Sequence, residues 1–233
     1  MTSIAANMQA VIGRISRACA AVGRDPRGVA LLAVSKTWPV AALREAVAAG
    51  QRAFGENYVQ EALAKMSELA DLRPALEWHL IGPLQSNKTR AVAENFDWVH
   101  SVDRLKLAER LSAQRPAGLA PLQVCLQVNI SGEVSKSGLA PAELAGVAAA
   151  VTRLPGLALR GLMAIPEPAG DFEAQRRPHR ALRELLTRLQ DNGLVGLDTL
   201  SMGMSADLEA AIAEGATLVR VGTAIFGERA LTA

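Results

Sequence analysis

Short apolar runs alternate along the chain with longer segments in which apolar residues recur at helical spacing. This alternation is typical of a parallel sheet whose strands are joined by helical crossovers. We predict strands at residues 29–34, 52–54, 77–81, 98–100, 122–128, 158–163, 199–200 and 218–221. We predict helices at residues 40–49, 58–69, 88–94, 104–113, 141–153, 178–191 and 206–214.

The N-terminal segment and one proline-containing segment complete this pattern. Helical spacing of Ile4, Met8, Val11, Ile12 and Ile15 predicts an additional helix before the first strand. The stretch 164–178 predicts a loop that leads into the long helix.

Eight strands with this rhythm favour an α/β fold: a single (β/α)8 TIM-type barrel with an extra N-terminal helix, occupying residues 1–233 as one domain. A doubly wound open sheet remains the alternative, although no GxGxxG follows the first strand.

Composition excludes several classes of protein. The 25 basic and 23 acidic residues nearly cancel, and aromatic residues make up only 3% of the chain, which argues against binding nucleic acid. Cys19 and Cys125 have neither metal-ligand spacing nor a disulfide pattern, which favours a reducing compartment. No apolar run has membrane-spanning length and no cleavable leader is recognisable, so we expect a cytoplasmic protein that does not enter a membrane.

One lysine stands among the residues that follow the predicted strands. In a parallel barrel these residues converge on one mouth, where chemistry takes place. Lys36 follows the apolar run "LLAV" after one residue, Ser35, and Thr37 stands on its other side. A desolvated lysine has a lowered pKa and can form a Schiff base with an aldehyde or ketone.

The last two predicted strands are followed by glycine-containing turns, "SMGMS" at 201–205 and "RVGTAIFG" at 220–227. Such turns direct backbone N–H groups at one point, and the corresponding loops of (β/α)8 barrels commonly bind phosphate. An amine and a phosphate cradle in one mouth suit pyridoxal 5′-phosphate, or a sugar phosphate in an imine-forming aldolase. The aldolase would need acid/base partners, and the mouth offers mainly Glu56.

Seven motifs give the chain a specific resemblance. The segments "AVSKT", "FGENYVQE", "WHLIGPLQSNK", "VNISGEVSKSG", "GLMAI", "LSMGMSADLEAAI" and "VRVGTAIFGER" occur in order between about residue 29 and residue 229. Together they resemble the pyridoxal phosphate homeostasis protein family, relatives of the N-terminal barrel of alanine racemase.

The resemblance implies a barrel that holds pyridoxal 5′-phosphate as an aldimine on Lys36. It implies that Ser201, Gly222 and Thr223 hold the phosphate with Ser205 close by, and that Arg220 faces the pyridine nitrogen. It places three more residues near the ring, namely Asn57, His79 and Met163.

The resemblance also bears on whether the protein is an enzyme. An amino-acid racemase needs a second acid/base opposite the lysine, and the chain's only tyrosine, Tyr58, is an unlikely substitute. We therefore expect a binding protein without catalytic turnover, which acts as a monomer in homeostasis of the cofactor and passes it to apo-enzymes. The alternative is a pyridoxal phosphate-dependent amino-acid racemase, with Lys136 or His79 as the second base.

Overall fold

Eight parallel strands close into a barrel in the computed structural model, which describes residues 3–132 and 137–228. Each strand pairs with the next along the chain, and the last pairs with the first. The strands are β1 Ala30–Val34, β2 Ala53–Glu56, β3 Glu77–Leu80, β4 Trp98–Val102, β5 Leu122–Gln127, β6 Leu157–Met163, β7 Thr199–Ser201 and β8 Leu218–Val221. The predicted (β/α)8 barrel is confirmed, and the open doubly wound sheet is wrong.

Helices surround the barrel. Within the described residues they are α1 Ile4–Ala21, α2 Val40–Ala48, α3 Val59–Glu68, α4 Thr89–Asn95, α5 Leu105–Gln114, α6 Leu144–Val151, α7 Phe172–Asp191, α8 Leu208–Ala213 and α9 Thr223–Phe226. None of these helices combines the length and the apolar character that a membrane crossing requires.

The predicted N-terminal helix is present as α1, which contacts α2, α8 and α9. The helix that follows β8 has only four residues, so α1 occupies the place of an eighth outer helix. Met8, Val11 and Ile15 are buried as the spacing predicted, whereas Ile12 is 41% exposed. The Asn7 side chain donates a hydrogen bond to the carbonyl oxygen of Ile225 at 2.9 Å, which ties α1 to α9.

The loop predicted at 164–178 is wrong in its second half, because α7 begins at Phe172. The Asp171 side chain caps this helix by accepting a hydrogen bond from the Ala174 amide at 2.8 Å. Pro178 therefore lies inside α7 and does not mark its start. The N-cap Asp171, seven residues before Pro178, outweighed the usual interpretation of proline as a first-turn residue.

Alternate side chains of each strand point into the barrel or out against the helices. The inward set contains two small apolar clusters, separate from the main core: Leu32 with Ile81 and Leu218, and Trp98 with Cys125 and Met163. Four buried polar side chains belong to the same inward set, namely His79, His100, Ser201 and Arg220. Buried polar groups are normally hydrogen-bonded, so these four side chains are expected to have specific partners within the barrel.

Candidate functional site

A cavity of about 220 Å³ opens at the carboxyl ends of the strands. It is lined by Val34, Lys36, Trp38, Asn57, Ile81, Ile165, Met204, Arg220, Gly222, Thr223 and Gly227. Five of the predicted site residues are thus brought together, although they come from three distant parts of the chain. The cavity offers an amine, a guanidinium and backbone amides between apolar walls.

The backbone on both sides of Lys36 is bound to one buried ion cluster. Lys65 Nζ donates to the carbonyl oxygen of Ser35 at 2.7 Å, and to Oε1 of Glu56 at 2.8 Å and of Glu61 at 2.6 Å. Glu61 Oε1 also accepts from the amide of Thr37 at 2.5 Å. The cluster therefore fixes the chain directly before and after Lys36.

Thr37 explains why such anchoring is needed. Its φ of 68° makes it the one non-glycine residue with positive φ in the described part of the chain. A β-branched residue in this region carries backbone strain that surrounding contacts must maintain. The strain sits beside Lys36, so we infer that the Lys65 cluster keeps the strand end in the conformation that directs Lys36 into the cavity.

Glu56 does not lie where the sequence interpretation put it. Its side chain is fully buried and faces α3, where it accepts hydrogen bonds from Ser35 Oγ at 2.6 Å and from Lys65. Burial raises the pKa of Glu56, and Lys65 opposes that rise. The alternation of side chains along β2 could have shown this orientation. Glu56 lies on the outward side of the strand with Phe54, whereas Gly55 and Asn57 face inward. Glu56 is therefore not available to the cavity, and no described lining residue supplies another carboxylate for the aldolase alternative.

The cluster makes Lys65 a sensitive position. We expect Lys65→Met to lower the free energy of unfolding by about 3 to 5 kcal/mol, because it leaves the Glu56 carboxylate buried without a counter-ion. The loss should shrink in acid, where a protonated Glu56 needs no cation. Urea unfolding at several pH values measures both effects.

Lys106→Met, at an exposed lysine on α5, is the matched control and should leave stability nearly unchanged. Adding Glu56→Gln to Lys65→Met should recover part of the loss, since it removes the orphaned charge. Equal stability of Lys65→Met and Lys106→Met would contradict the assigned role of the cluster.

Arg220 lies at the floor of the cavity and is 4% exposed. Its Nη1 donates to the carbonyl oxygen and the hydroxyl of Ser201 at 2.5 and 2.7 Å, and its Nη2 donates to the carbonyl oxygen of Ala164 at 2.9 Å. Burial lowers the pKa of Arg220 to about 10, so the guanidinium remains a cation at neutral pH. No described residue accepts from its Nε–H, which leaves that donor for a ligand.

The turn after β8 brings two backbone amides to the cavity. Neither the Gly222 nor the Thr223 amide donates to a backbone acceptor within the described residues. A Cβ on Gly222 would lie 3.1 Å from the carbonyl oxygen of Val34, so the neighbouring strand leaves little room for a side chain there. These amides suit an anion placed at this side of the mouth.

Four predicted site residues lie outside the cavity lining. His79, Met163 and Ser201 are buried in the barrel interior. Ser205 follows the cavity residue Met204, and its carbonyl oxygen accepts from Arg14 of α1 at 3.0 Å. The roles of these four residues at a bound cofactor remain predictions. The position of the three interior residues favours supporting the cavity residues from below over contacting the cofactor directly. Lys136 falls outside the described residues.

The sequence interpretation missed His100. This fully buried histidine lies between two predicted site residues: its Nε2 is 2.9 Å from Nδ1 of His79, and its Nδ1 is 2.7 Å from Oγ of Ser201. The alternation along β3 and β4 could have placed both histidines inward. It could not have shown that they meet.

Comparisons of the whole chain with known proteins agree with one another. The model of the alanine racemase N-terminal domain matches residues 3–230. The pyridoxal phosphate homeostasis protein of Pseudomonas aeruginosa is 66% identical over 229 residues, which cover 98% of this chain and 97% of that protein. The corresponding protein of Escherichia coli K12 is 55% identical and covers 98% of both chains.

Solved structures extend the comparison. PipY of Synechococcus elongatus, determined with pyridoxal phosphate bound, is 45% identical with a TM-score of 0.81, over 91% of this chain and all of that one. Alanine racemase of Bacillus anthracis is 18% identical with a TM-score of 0.70, over 96% of this chain and 57% of that one, and shows a shared fold alone.

Proposed function

Because the chain belongs to the family of pyridoxal phosphate homeostasis proteins, we propose that it binds pyridoxal 5′-phosphate in the cavity at Lys36 and serves homeostasis of that cofactor. The proposal treats residues 1–233 as one cofactor-binding barrel domain. The observation that carries it is the set of cavity donors, because an amine, a guanidinium Nε–H and backbone amides correspond to the aldehyde, ring nitrogen and phosphate of this molecule.

Each donor has a distinct part in the proposed complex. The Lys36 amine condenses with the aldehyde carbon, forming a carbon–nitrogen double bond and releasing one water. The Gly222 and Thr223 amides bind the phosphate, with Ser205 at the adjoining loop. Arg220 faces the ring nitrogen and Asn57 lies beside the ring, while His79, Met163 and Ser201 act from below the cavity.

The cofactor's usual chemistry is to stabilise negative charge on carbon, and Arg220 works against it. A permanent cation beside the ring nitrogen disfavours a second positive charge there, so that nitrogen stays unprotonated. Amine exchange at Lys36 remains easy, whereas reactions that need a well-stabilised carbanion become slow. The site is therefore better suited to holding and releasing the cofactor than to transforming amino acids with it.

The cavity lining supports a role without turnover. Of its described residues, only Lys36 and Arg220 carry titratable side chains, so a second acid/base for racemisation is missing from that set. Tyr58 is 58% exposed and lies outside the cavity lining, and the buried His79 is not part of that lining either. Racemase activity would have to use a residue such as Lys136, and this remains the second candidate.

The cellular role that we propose for the protein follows from reversible binding of the reactive aldehyde of pyridoxal phosphate. We place the protein in the cytoplasm, acting as a monomer that keeps free pyridoxal phosphate low and transfers it to apo-enzymes. No nucleic acid or membrane takes part in this scheme.

Absorption spectra of the purified protein, with and without added pyridoxal phosphate, test the proposal, followed by borohydride reduction and peptide mapping. We expect a yellow absorption band that reduction abolishes, with the reduced label on Lys36 among the five lysines of the chain. A label spread over exposed lysines such as Lys106, or no label at all, would overturn the cofactor assignment. Exchange of amino-acid α-protons at an ordinary enzymatic rate, about 1 s⁻¹ or more, would overturn the assignment as a binding protein.

A further inference from the structure

A continuous line of buried polar side chains crosses the barrel interior beneath the cavity. Arg220 Nη1 donates to Ser201 Oγ at 2.7 Å, Ser201 Oγ lies 2.7 Å from His100 Nδ1, and His100 Nε2 lies 2.9 Å from His79 Nδ1. At the far end His79 Nε2 is 3.7 Å from Oε1 of Glu77, the first residue of β3. Glu77 is about half exposed, so the line connects the cavity floor to solvent at the opposite end of the barrel.

A consistent set of donors and acceptors runs along this line from Arg220 to His79. A guanidinium has no acceptor, so Ser201 Oγ must accept from Arg220. The Ser201 hydroxyl keeps one hydrogen, which it can donate to Nδ1 of His100; the His100 proton then sits on Nε2 and is donated to Nδ1 of His79. This leaves the His79 proton on Nε2.

The Glu77 end favours the same direction. With its proton on Nε2, His79 presents an N–H group to the Glu77 carboxylate, whereas the opposite tautomer would present a lone pair to that negative charge. Trp98 fixes both partners, because its ring stacks on His79 at 5.3 Å and its Nε1 donates to Glu77 Oε1. The Glu77 charge thus favours one direction for the hydrogen bonds of both histidines, and that direction is compatible with Ser201 accepting from Arg220.

Neutral imidazoles are a condition for this arrangement, since a protonated histidine donates from both nitrogens. Burial lowers the pKa of His79 to about 3. Burial, together with the nearby His79 and Arg220, lowers the pKa of His100 well below its ordinary value. Both rings are therefore neutral at physiological pH.

We propose that Ser201, His100 and His79 form a one-directional hydrogen-bond relay, oriented at its far end by the charge of Glu77, that positions the Arg220 guanidinium at the cavity floor. The relay takes up an Nη1 hydrogen of Arg220, while the carbonyl oxygens of Ser201 and Ala164 take two more. The Nε–H is thereby held towards the cavity. The purpose of this orientation rests on the proposed function, in which that donor faces the ring nitrogen of the cofactor.

Nitrogen-15 NMR of the cofactor-free protein tests the relay independently of cofactor binding. We expect His79 and His100 to be neutral, with the proton on Nε2, between about pH 6 and pH 8. We also expect His100→Leu to shift the Arg220 Nε–H resonance and to release His79 from its fixed tautomer. A protonated ring or an Nδ1–H tautomer in the wild-type protein would overturn the relay, and this measurement needs no variant to fold.

Cofactor affinity tests what the relay does for the site. His100→Leu should weaken binding of pyridoxal phosphate about tenfold, and His100→Gln, whose amide can accept from Ser201 and donate to His79, should recover most of it. Cys125→Ala, an equally buried interior change outside the relay, is the matched control and should bind normally. Equal losses in the Leu and Gln variants would reduce His100 to a packing role. A wild-type protein that fails to bind the cofactor would overturn the proposed function, while the tautomers would still decide the relay.

Discussion

We expect Lys36→Met to abolish the yellow absorption band and the borohydride-trapped label, because no other described cavity residue carries an amine. The remaining donors of the cavity still bind the phosphate and the ring, so weak reversible binding of pyridoxal phosphate should persist. Absorption spectra, peptide mapping and equilibrium dialysis measure the two kinds of binding separately. We expect the covalent fraction to fall to background and the apparent affinity to fall by about a hundredfold or more.

Lys106→Met is the matched control for this change, since it removes an exposed lysine on the outer helix α5 and should leave spectrum and affinity unchanged. Retention of a single trapped label in Lys36→Met would show that another amine carries the cofactor. In that case peptide mapping would identify it, with Lys136 as the first residue to examine.

Gly161→Ala is expected to destabilise the fold strongly. Gly161 pairs with Thr199 where β6 meets β7, and its φ is 158°. A Cβ at this position would lie 1.9 Å from the carbonyl oxygen of Thr199, a distance that only backbone movement can relieve. Next to it the pairing of β5 with β6 shifts register, so the surrounding ladder is already irregular. We expect a loss of about 3 kcal/mol or more in the free energy of unfolding.

Urea unfolding measures this loss, with Gly170→Ala as the control. Gly170 is exposed, and a Cβ there would meet nothing within 4 Å. The control should be neutral or slightly stabilising, because alanine reduces the freedom of the unfolded chain. Similar stability of the two variants would contradict the steric argument at Gly161. Because Ser201 ends β7, partial loss of cofactor affinity should accompany the loss of stability in Gly161→Ala.

Much of the fold is determined by local patterns that a single sequence carries. Strand bounds agree with the predictions to within two residues, since each strand is a short apolar run bounded by turn residues. The extra helix α1 followed from helical spacing alone. Where two local signals competed, as at Asp171 and Pro178, the stronger cap decided and the prediction failed.

For the candidate site, too, local patterns predict some features and tertiary contacts determine the others. Position at a strand end was enough to predict that five residues reach one mouth, because the carboxyl ends of parallel strands must converge: Lys36, Asn57, Arg220, Gly222 and Thr223. The folded chain was needed to show that Glu56 turns away to Lys65. It was also needed to show that His100 joins His79 to Ser201, which lies 101 residues after His100. Local pattern fixes the side of a strand on which a residue lies, whereas hydrogen bonds between distant strands depend on the register and closure of the barrel.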